Sequence, residues 1–561
     1  MGAATCFPGS LAAALILLVS CSGQGGTPQS EPQSQPPAAA PALPASEVDN
    51  AFPDTDQLSL IDAYRLLDQT TFGPALAEIE AAADMGPGAW IDRQMQLPAT
   101  YLLPLLMQSD RSRWNEYVNT WWRRVIQSDD QLRHRVAFAL SEIFVVSASD
   151  GLGEEQEGLA NYYDILLRHA FGNYRELIED ITLNPIMGEF LSMKGNQGPD
   201  PERNIQPDEN YARELLQLFS IGLVRLNPDG TPILDDKGVP VPTYDQEIVE
   251  GFARVFTGWH FANAEDFRWP DNTDYLSPMT AWPEYHASGR KTLLRGRVLE
   301  AGGTPEDDLE AALDNIANDP NTGPFLSKQL IQRLVTSNPS PGYVRDVAAV
   351  WDSNASGERG NLGSVIKAIL MHREARLGHL ESPESFGKLK EPLLRVAHLW
   401  RAFEPASIHH EFNYAWAESD LAQAPLYSPT VFNFFRPDYA PPGEIADAGL
   451  VAPEFEIHDD SSIIRITTRL LANSLWLHNH DDSKEPENLY IDIDREMALE
   501  PDQDALIAHL DLLLTGGRMS EALRNDVRAL LAERPWEDEA ATRVAEAIFL
   551  VITSPEAAVQ I

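Results

Sequence analysis

The residues of this 561-residue chain best suited to chemistry lie in two segments that mix carboxylates with arginines. In the first, Pro207-Asp208-Glu209-Asn210-Tyr211-Ala212-Arg213-Glu214-Leu215-Leu216-Gln217-Leu218-Phe219 has helical spacing. A proline suits the first turn of a helix, and Asp208 and Glu209 suit the positive end of its dipole. At about 100° per residue, Tyr211, Leu215, Leu218 and Gly222 share one face, while Asn210, Arg213, Glu214 and Gln217 share an adjoining arc. That arc is either an ordinary solvated face or the polar wall of a cleft, with Glu214 as acid or base and Arg213 as an anion clamp. Glu209 is a second carboxylate, but on one helix it points about 140° away from Glu214, so the two cannot flank one bond alone. The second segment offers the missing partner. There Asp245 and Glu247 lead into Ile248, Val249, Phe252, Val255 and Phe256, followed by Thr257-Gly258-Trp259. Arg254 either pairs on the surface with Glu250, four residues back, or reaches the carboxylates of the first helix. Glu214, Glu209 and Asp245 are thus the expected acid–base residues, and Asn210, Arg213, Arg254 and Trp259 the expected substrate-binding ones. A buried network of Arg213, Glu214 and Arg254 lining a pocket is the geometric expectation.

Other catalytic signatures fail. Gly151-Leu152-Gly153 lacks the third glycine of a dinucleotide loop, where Gln156 stands, and no phosphate-cradling loop precedes Gly387-Lys388. Neither a His-Glu-x-x-His pair nor a Gly-x-Ser-x-Gly elbow occurs. His409-His410-Glu411 is the densest group of possible metal ligands, but adjacent histidines diverge, so a solvated loop is expected there and no metal site. His260 and His286 read as hydrogen-bonded structural residues. No cofactor is indicated. Tyr427, Phe432, Phe434, Phe435 and Tyr439 crowd among prolines, and such faces either stack on sugar rings or plug a core.

Several strings in this order resemble the domain-of-unknown-function 1800 family. They are Arg65-Leu66-Leu67 with Thr70-Thr71-Phe72-Gly73, Leu166 with Arg168-His169-Ala170-Phe171-Gly172-Asn173, and Glu209-Asn210-Tyr211-Ala212-Arg213-Glu214-Leu215. Ala253-Arg254 with Thr257-Gly258-Trp259 and the closing Ser554-Pro555-Glu556 complete the set. The resemblance covers residues 58 to 561 and implies an exported helical protein. Such proteins are often encoded beside a member of the domain-of-unknown-function 1501 family, which resembles alkaline phosphatases and sulfatases. It implies no established reaction. Two positions depart from the pattern: Asp208 stands where Asn is common, and Ser428-Pro429-Thr430-Val431-Phe432-Asn433-Phe434 replaces Pro-Pro-Asn-Val-x-Gly-Trp.

The elements that must position these residues are mostly helices. Leu132, Val136, Leu140 and Ile143 repeat at helical spacing, and the same period recurs from Asn161 to Phe171, Tyr174 to Ile186, Pro207 to Gly222 and Tyr244 to Thr257. It continues through nine later segments between residues 308 and 553, with no βαβ alternation, so the class is mainly α. One β element interrupts them near residues 224–243. There Asn227-Pro228-Asp229-Gly230 and Asp235-Asp236-Lys237-Gly238 are turn signals flanking Ile233-Leu234, and a small hairpin or meander is expected.

The N-terminus carries a different message. The apolar run Leu11 to Val19 is too short to span a bilayer, and Leu18-Val19-Ser20-Cys21 has the pattern of a lipoprotein signal. Residues 1–20 are read as the signal, Cys21 as the lipidated residue, and residues 21–50 as a Pro/Gln/Ser/Ala-rich tether unable to bury a core. No Lys or Arg precedes Arg65, so the usual basic start of a signal is missing. The region 51–561 is long enough for two helical subdomains. With Cys6 removed and Cys21 lipidated, thiol chemistry and disulfides drop out. A formal net charge of −43 disfavours nucleic acid and anionic membrane surfaces. The expectation is an outer-membrane lipoprotein that acts on an extracellular polymer such as a polysaccharide. The alternative is a non-catalytic scaffold for a phosphatase- or sulfatase-like exported partner, and the membrane is contacted only through the anchor.

Overall fold

Capping residues start many of the helices in the computed structural model. It describes residues 52, 53, 55, 57–110, 114–270, 272–407, 414, 416–480, 488–532 and 540–561. Cys21, the tether and His409-His410-Glu411 lie outside the described residues. Ser59 caps Leu60–Thr70, Asp245 caps Gln246–Val255 and Thr304 caps Pro305–Ala317, each accepting a backbone N–H that the helix leaves unpaired. Helices dominate from residue 60 to residue 558, and the fold is mainly α. Each sheet among the described residues has two antiparallel strands of two residues, as where Lys388–Leu389 pairs with Val559–Gln560.

Two predicted helices are shorter than their periodicity. Tyr174 to Ile186 breaks into Tyr174–Leu183 and Pro185–Phe190. Proline forces the preceding Asn184 into extended backbone, and the Asn184 side chain caps the second piece. Pro207 to Gly222 contributes a helix only over Asn210–Gln217. Asp208 Oδ1 accepts the Asn210 N–H at 2.8 Å, which holds the entry in a turn and leaves Pro207 outside the helix.

The expected β element sits at residues 223–243. Gly230 and Gly238 donate to the Asn227 and Asp235 carbonyls at 2.9 Å, both with φ near +76°, so only glycine closes these turns without strain. Its three short segments close on one another: Arg225 N–H bonds the Val241 carbonyl, Val241 N–H that of Ile233, and Ile233 N–H that of Arg225. All three edges are thereby paired in a unit too small for an ordinary sheet.

One hydrophobic core runs from Ala63 to Ala557. At its centre Trp121, Trp122 and Trp400 pack edge to face, with centroids 5.1 Å apart from Trp122 to either neighbour. The end of the Gln131–Ser141 helix, the Thr322–Leu334 helix and the 426–439 loop meet beside this core and shape the site.

Candidate functional site

The residues singled out by spacing divide between surface and interior. Arg213 Nη2 meets Glu209 Oε2 at 2.8 Å, and Gln246 Nε2 bonds both Glu209 oxygens at 3.0 and 2.9 Å, all on a partly exposed surface. Asn210 is exposed. Arg254 faces Glu250 at 3.4 Å, more than a third exposed, and does not join Arg213 and Glu214. Asp245 spends its carboxylate on the Ile248 N–H as a helix cap. Trp259 is buried in the core, its indole N–H without an acceptor.

Glu214 is the one charged residue of this group that is buried, with Oε2 lacking a donor, close to the buried and equally unpartnered Tyr244 hydroxyl. Burial raises the Glu214 pKa and Arg213 only partly offsets it. Burial likewise pushes the Tyr244 hydroxyl up to about 12. The single buried network of Arg213, Glu214 and Arg254 is therefore not what the chain builds. Glu209 takes Arg213, and the four-residue spacing gives Arg254 to Glu250.

A cleft of about 510 Å³ opens at the C-terminal end of the same helix. Gln217, Leu218 and Gly222 form one wall, the β element contributes Val224 and Pro232, and Phe325 and Phe432 face it from the Thr322–Leu334 helix and the loop. It is mostly apolar with a few polar groups, as ligand clefts are. Gly222 has φ +69°, and a Cβ there would lie 2.5 Å from the Phe325 ring, so glycine lets that ring sit flat. A narrower extension of about 60 Å³ continues inward, sharing Leu218, Phe325, Gln329 and Phe432 with the cleft and ending on Glu142, Arg333 and Asn433.

Behind that end lies a buried ionic cluster. Lys388 Nζ stands 3.0 Å from Glu454 Oε1 and 3.7 Å from Glu391 Oε1, and Gln423 donates to Glu391 Oε2 at 2.6 Å. Arg135 and Lys388 both donate to the Arg333 carbonyl, at 2.7 and 2.9 Å. Arg333 Nε approaches Glu142 Oε2 only to 3.6 Å. Neither Glu142 oxygen, nor Glu391 Oε1, meets a donor from another group. A proton held between the Glu142 and Glu391 carboxyls satisfies both. Burial, then the Glu391 charge, raises the Glu142 pKa well above the usual range. Burial opposes ionisation of Glu391 too, but Lys388 and the hydrogen bond from Glu142 hold it below its ordinary value. Two neighbouring carboxylates in a dry site resist ionising together, so at rest the pair holds one proton and titrates as a unit. Glu391 and Glu454 then carry two negative charges against Lys388, Arg135 and Arg333, leaving one positive charge in surplus. The adjoining Asp68–Lys390 pair, 2.6 Å apart, is balanced by itself.

Spacing did not point to Glu142, Glu391, Arg333 or Lys388, which come from three separate stretches of chain. The one local signal was Lys388-Leu389-Lys390-Glu391-Pro392, charged residues in an extended run just before a helix, all of them buried at the charged positions. A family model described as "Protein of unknown function (DUF1800)" matches residues 65–559. No curated protein matches the chain, and no solved structure does.

Proposed function

We propose, from the premise that the chain belongs to the DUF1800 family, that it is a lipid-anchored cell-envelope enzyme. It hydrolyses an extracellular polysaccharide by acid–base chemistry in the cleft beneath the 426–439 loop. The observation that carries this reading is the buried Glu142 carboxyl at the inner end of that cleft, neither oxygen of which meets a donor, beside the buried Glu391. Carboxyls with pKa values pushed apart are the usual means of running acid and base steps at one pH. Glu142 gives its proton to the glycosidic oxygen as the bond to the anomeric carbon breaks. Water adds to that carbon, and the proton it loses returns to the pair. While both carboxyls are ionised, the surplus positive charge of Lys388, Arg135 and Arg333 stabilises them. Phe325 and Phe432 supply flat apolar faces suited to pyranose rings.

Anchoring in this reading is by lipid on Cys21. Among the described residues no helix is long and apolar enough to cross a membrane. Purified protein incubated with a panel of bacterial exopolysaccharides and assayed for new reducing ends tests the function. Wild type should cleave at least one polymer, and Glu142→Gln should abolish cleavage without unfolding. Cleavage undiminished in Glu142→Gln, or no cleavage anywhere in the panel, overturns the reading.

A further inference from the structure

Two amide donors with no protein acceptor, and an arginine whose carboxylate partner stands back at 3.6 Å, converge on the inner end of the cleft. Gln329 Nε2 and Asn433 Nδ2 are buried and make no hydrogen bond, on side chains 9% and 6% exposed. The Arg333 guanidinium, its side chain 3% exposed, has Glu142 as its carboxylate partner, with Nε at 3.6 Å from Oε2 and so beyond hydrogen-bond distance. All three line the same narrow extension. Buried donors are nearly always satisfied, and unmet ones gathered in a cavity mark where an acceptor belongs.

The surroundings hold these donors ready. The Arg333 guanidinium lies over the Phe435 ring, 4.2 Å from its centroid, which fixes the plane of the fork. Asn433 has φ +68°, a strained backbone that the loop maintains although no turn glycine stands there. Arg436 at the rim is already paired with Glu456 at 3.2 Å and is not available as the clamp.

We propose that Arg333, Gln329 and Asn433 form a subsite for an oxyanion carried by the substrate, a carboxylate or a sulfate ester, so that the polymer is an acidic polysaccharide. A planar guanidinium grips such a group through two parallel hydrogen bonds, and the two amides supply the remaining donors. The anion also neutralises the one surplus positive charge of the cluster. A neutral sugar hydroxyl leaves the fork half used.

This assignment rests on the polysaccharide reading of the same cleft and names its substrate class. Calorimetric titration of the full chain with glucuronate, glucose 6-sulfate and glucose tests it. One anionic probe should bind at least about tenfold more tightly than glucose, and Arg333→Gln and Gln329→Met, each checked for an intact near-ultraviolet spectrum, should each remove about tenfold or more of that affinity. Tighter glucuronate binding identifies a carboxylate; tighter sulfate binding identifies a sulfate ester. Equal binding of glucose, no binding of any probe, or anion binding unchanged in both variants overturns the subsite. Binding of the anion without cleavage of any polymer overturns the catalytic reading instead, whereas cleavage of neutral polymers alone overturns the subsite and leaves catalysis standing.

Discussion

Replacing the two carboxyls of the shared-proton pair one at a time should give unequal losses of stability. Glu142 is the neutral partner, so Glu142→Gln exchanges one uncharged, hydrogen-bonding group for another of nearly the same shape. Its cost is expected to stay below about 1 kcal/mol at neutral pH, the size of one ordinary hydrogen bond. Glu391 is the charged partner, facing Lys388 at 3.7 Å and holding the Gln423 amide at 2.6 Å. Glu391→Gln leaves a buried cation under-compensated, a change that costs about 3–5 kcal/mol. Unfolding entropy of about 2.1 cal/mol/K per residue over roughly 510 residues comes to about 1 kcal/mol/K, so the thermal midpoint should fall by roughly 3–5 °C for Glu391→Gln and by about 1 °C or less for Glu142→Gln.

The pH dependence has a definite sign. The folded-state pKa of Glu142 is raised, so its contribution is fully present below the ordinary glutamate value, about 4.3, and is lost as pH rises through the folded value. Glu142→Gln lacks that loss and should gain on wild type between pH 5 and pH 9, by differential scanning calorimetry. Equal losses for the two variants, with no pH trend between them, would show that both carboxyls are ionised and refute the shared proton.

Burial, then the Lys390 charge, depresses the pKa of His398 to about 3, and its Nε2 lies 3.0 Å from the Leu513 carbonyl. As pH falls from about 6.5, the unfolded chain takes up a proton that the folded chain refuses, so stability drops by on the order of 4–5 kcal/mol by pH 3. His398→Gln should flatten that acid slope in urea titrations, and an unchanged slope would contradict the assignment. Glu214→Gln should cost less than about 1 kcal/mol and improve relative to wild type as pH rises, because Glu214 is buried without a dedicated cation; Arg254→Ala should cost less than about 0.5 kcal/mol, as exposed helix pairs do. Gly222→Ala should lose about 1–2 kcal/mol from its left-handed backbone and displace Phe325, detectable as weakened ligand binding beyond the change in melting. Cys21→Ser should release the protein from membranes, and mass spectrometry of the mature wild type should find acyl chains on Cys21.

Helical periodicity was legible because it depends on neighbours three and four residues apart, and the turns at Gly230 and Gly238 because glycine alone fits their backbone. Helix ends were misread where a side chain outcompeted the helix for a backbone group, as Asp208 does at Asn210. The arc of Asn210, Arg213, Glu214 and Gln217 was found, but one sequence carries no sign of which way each side chain pairs. Gln246 and Arg213 close on Glu209 and leave an exposed, self-satisfied set. The cleft floor was invisible because Glu142, Arg333, Glu391 and Asn433 are brought together only by packing. Each, taken in its own segment, looks like an ordinary surface residue of a chain that is already strongly acidic.

Hydrogen–deuterium exchange of the full chain with and without uronate oligosaccharides tests directly whether the cleft is the functional site. Protection is expected in three separated stretches, around residues 139–146, 322–334 and 426–439, with residues 209–214 and 246–254 unchanged. Protection confined to 209–214 and 246–254 would return the site to the Glu209–Arg213 surface and contradict the account.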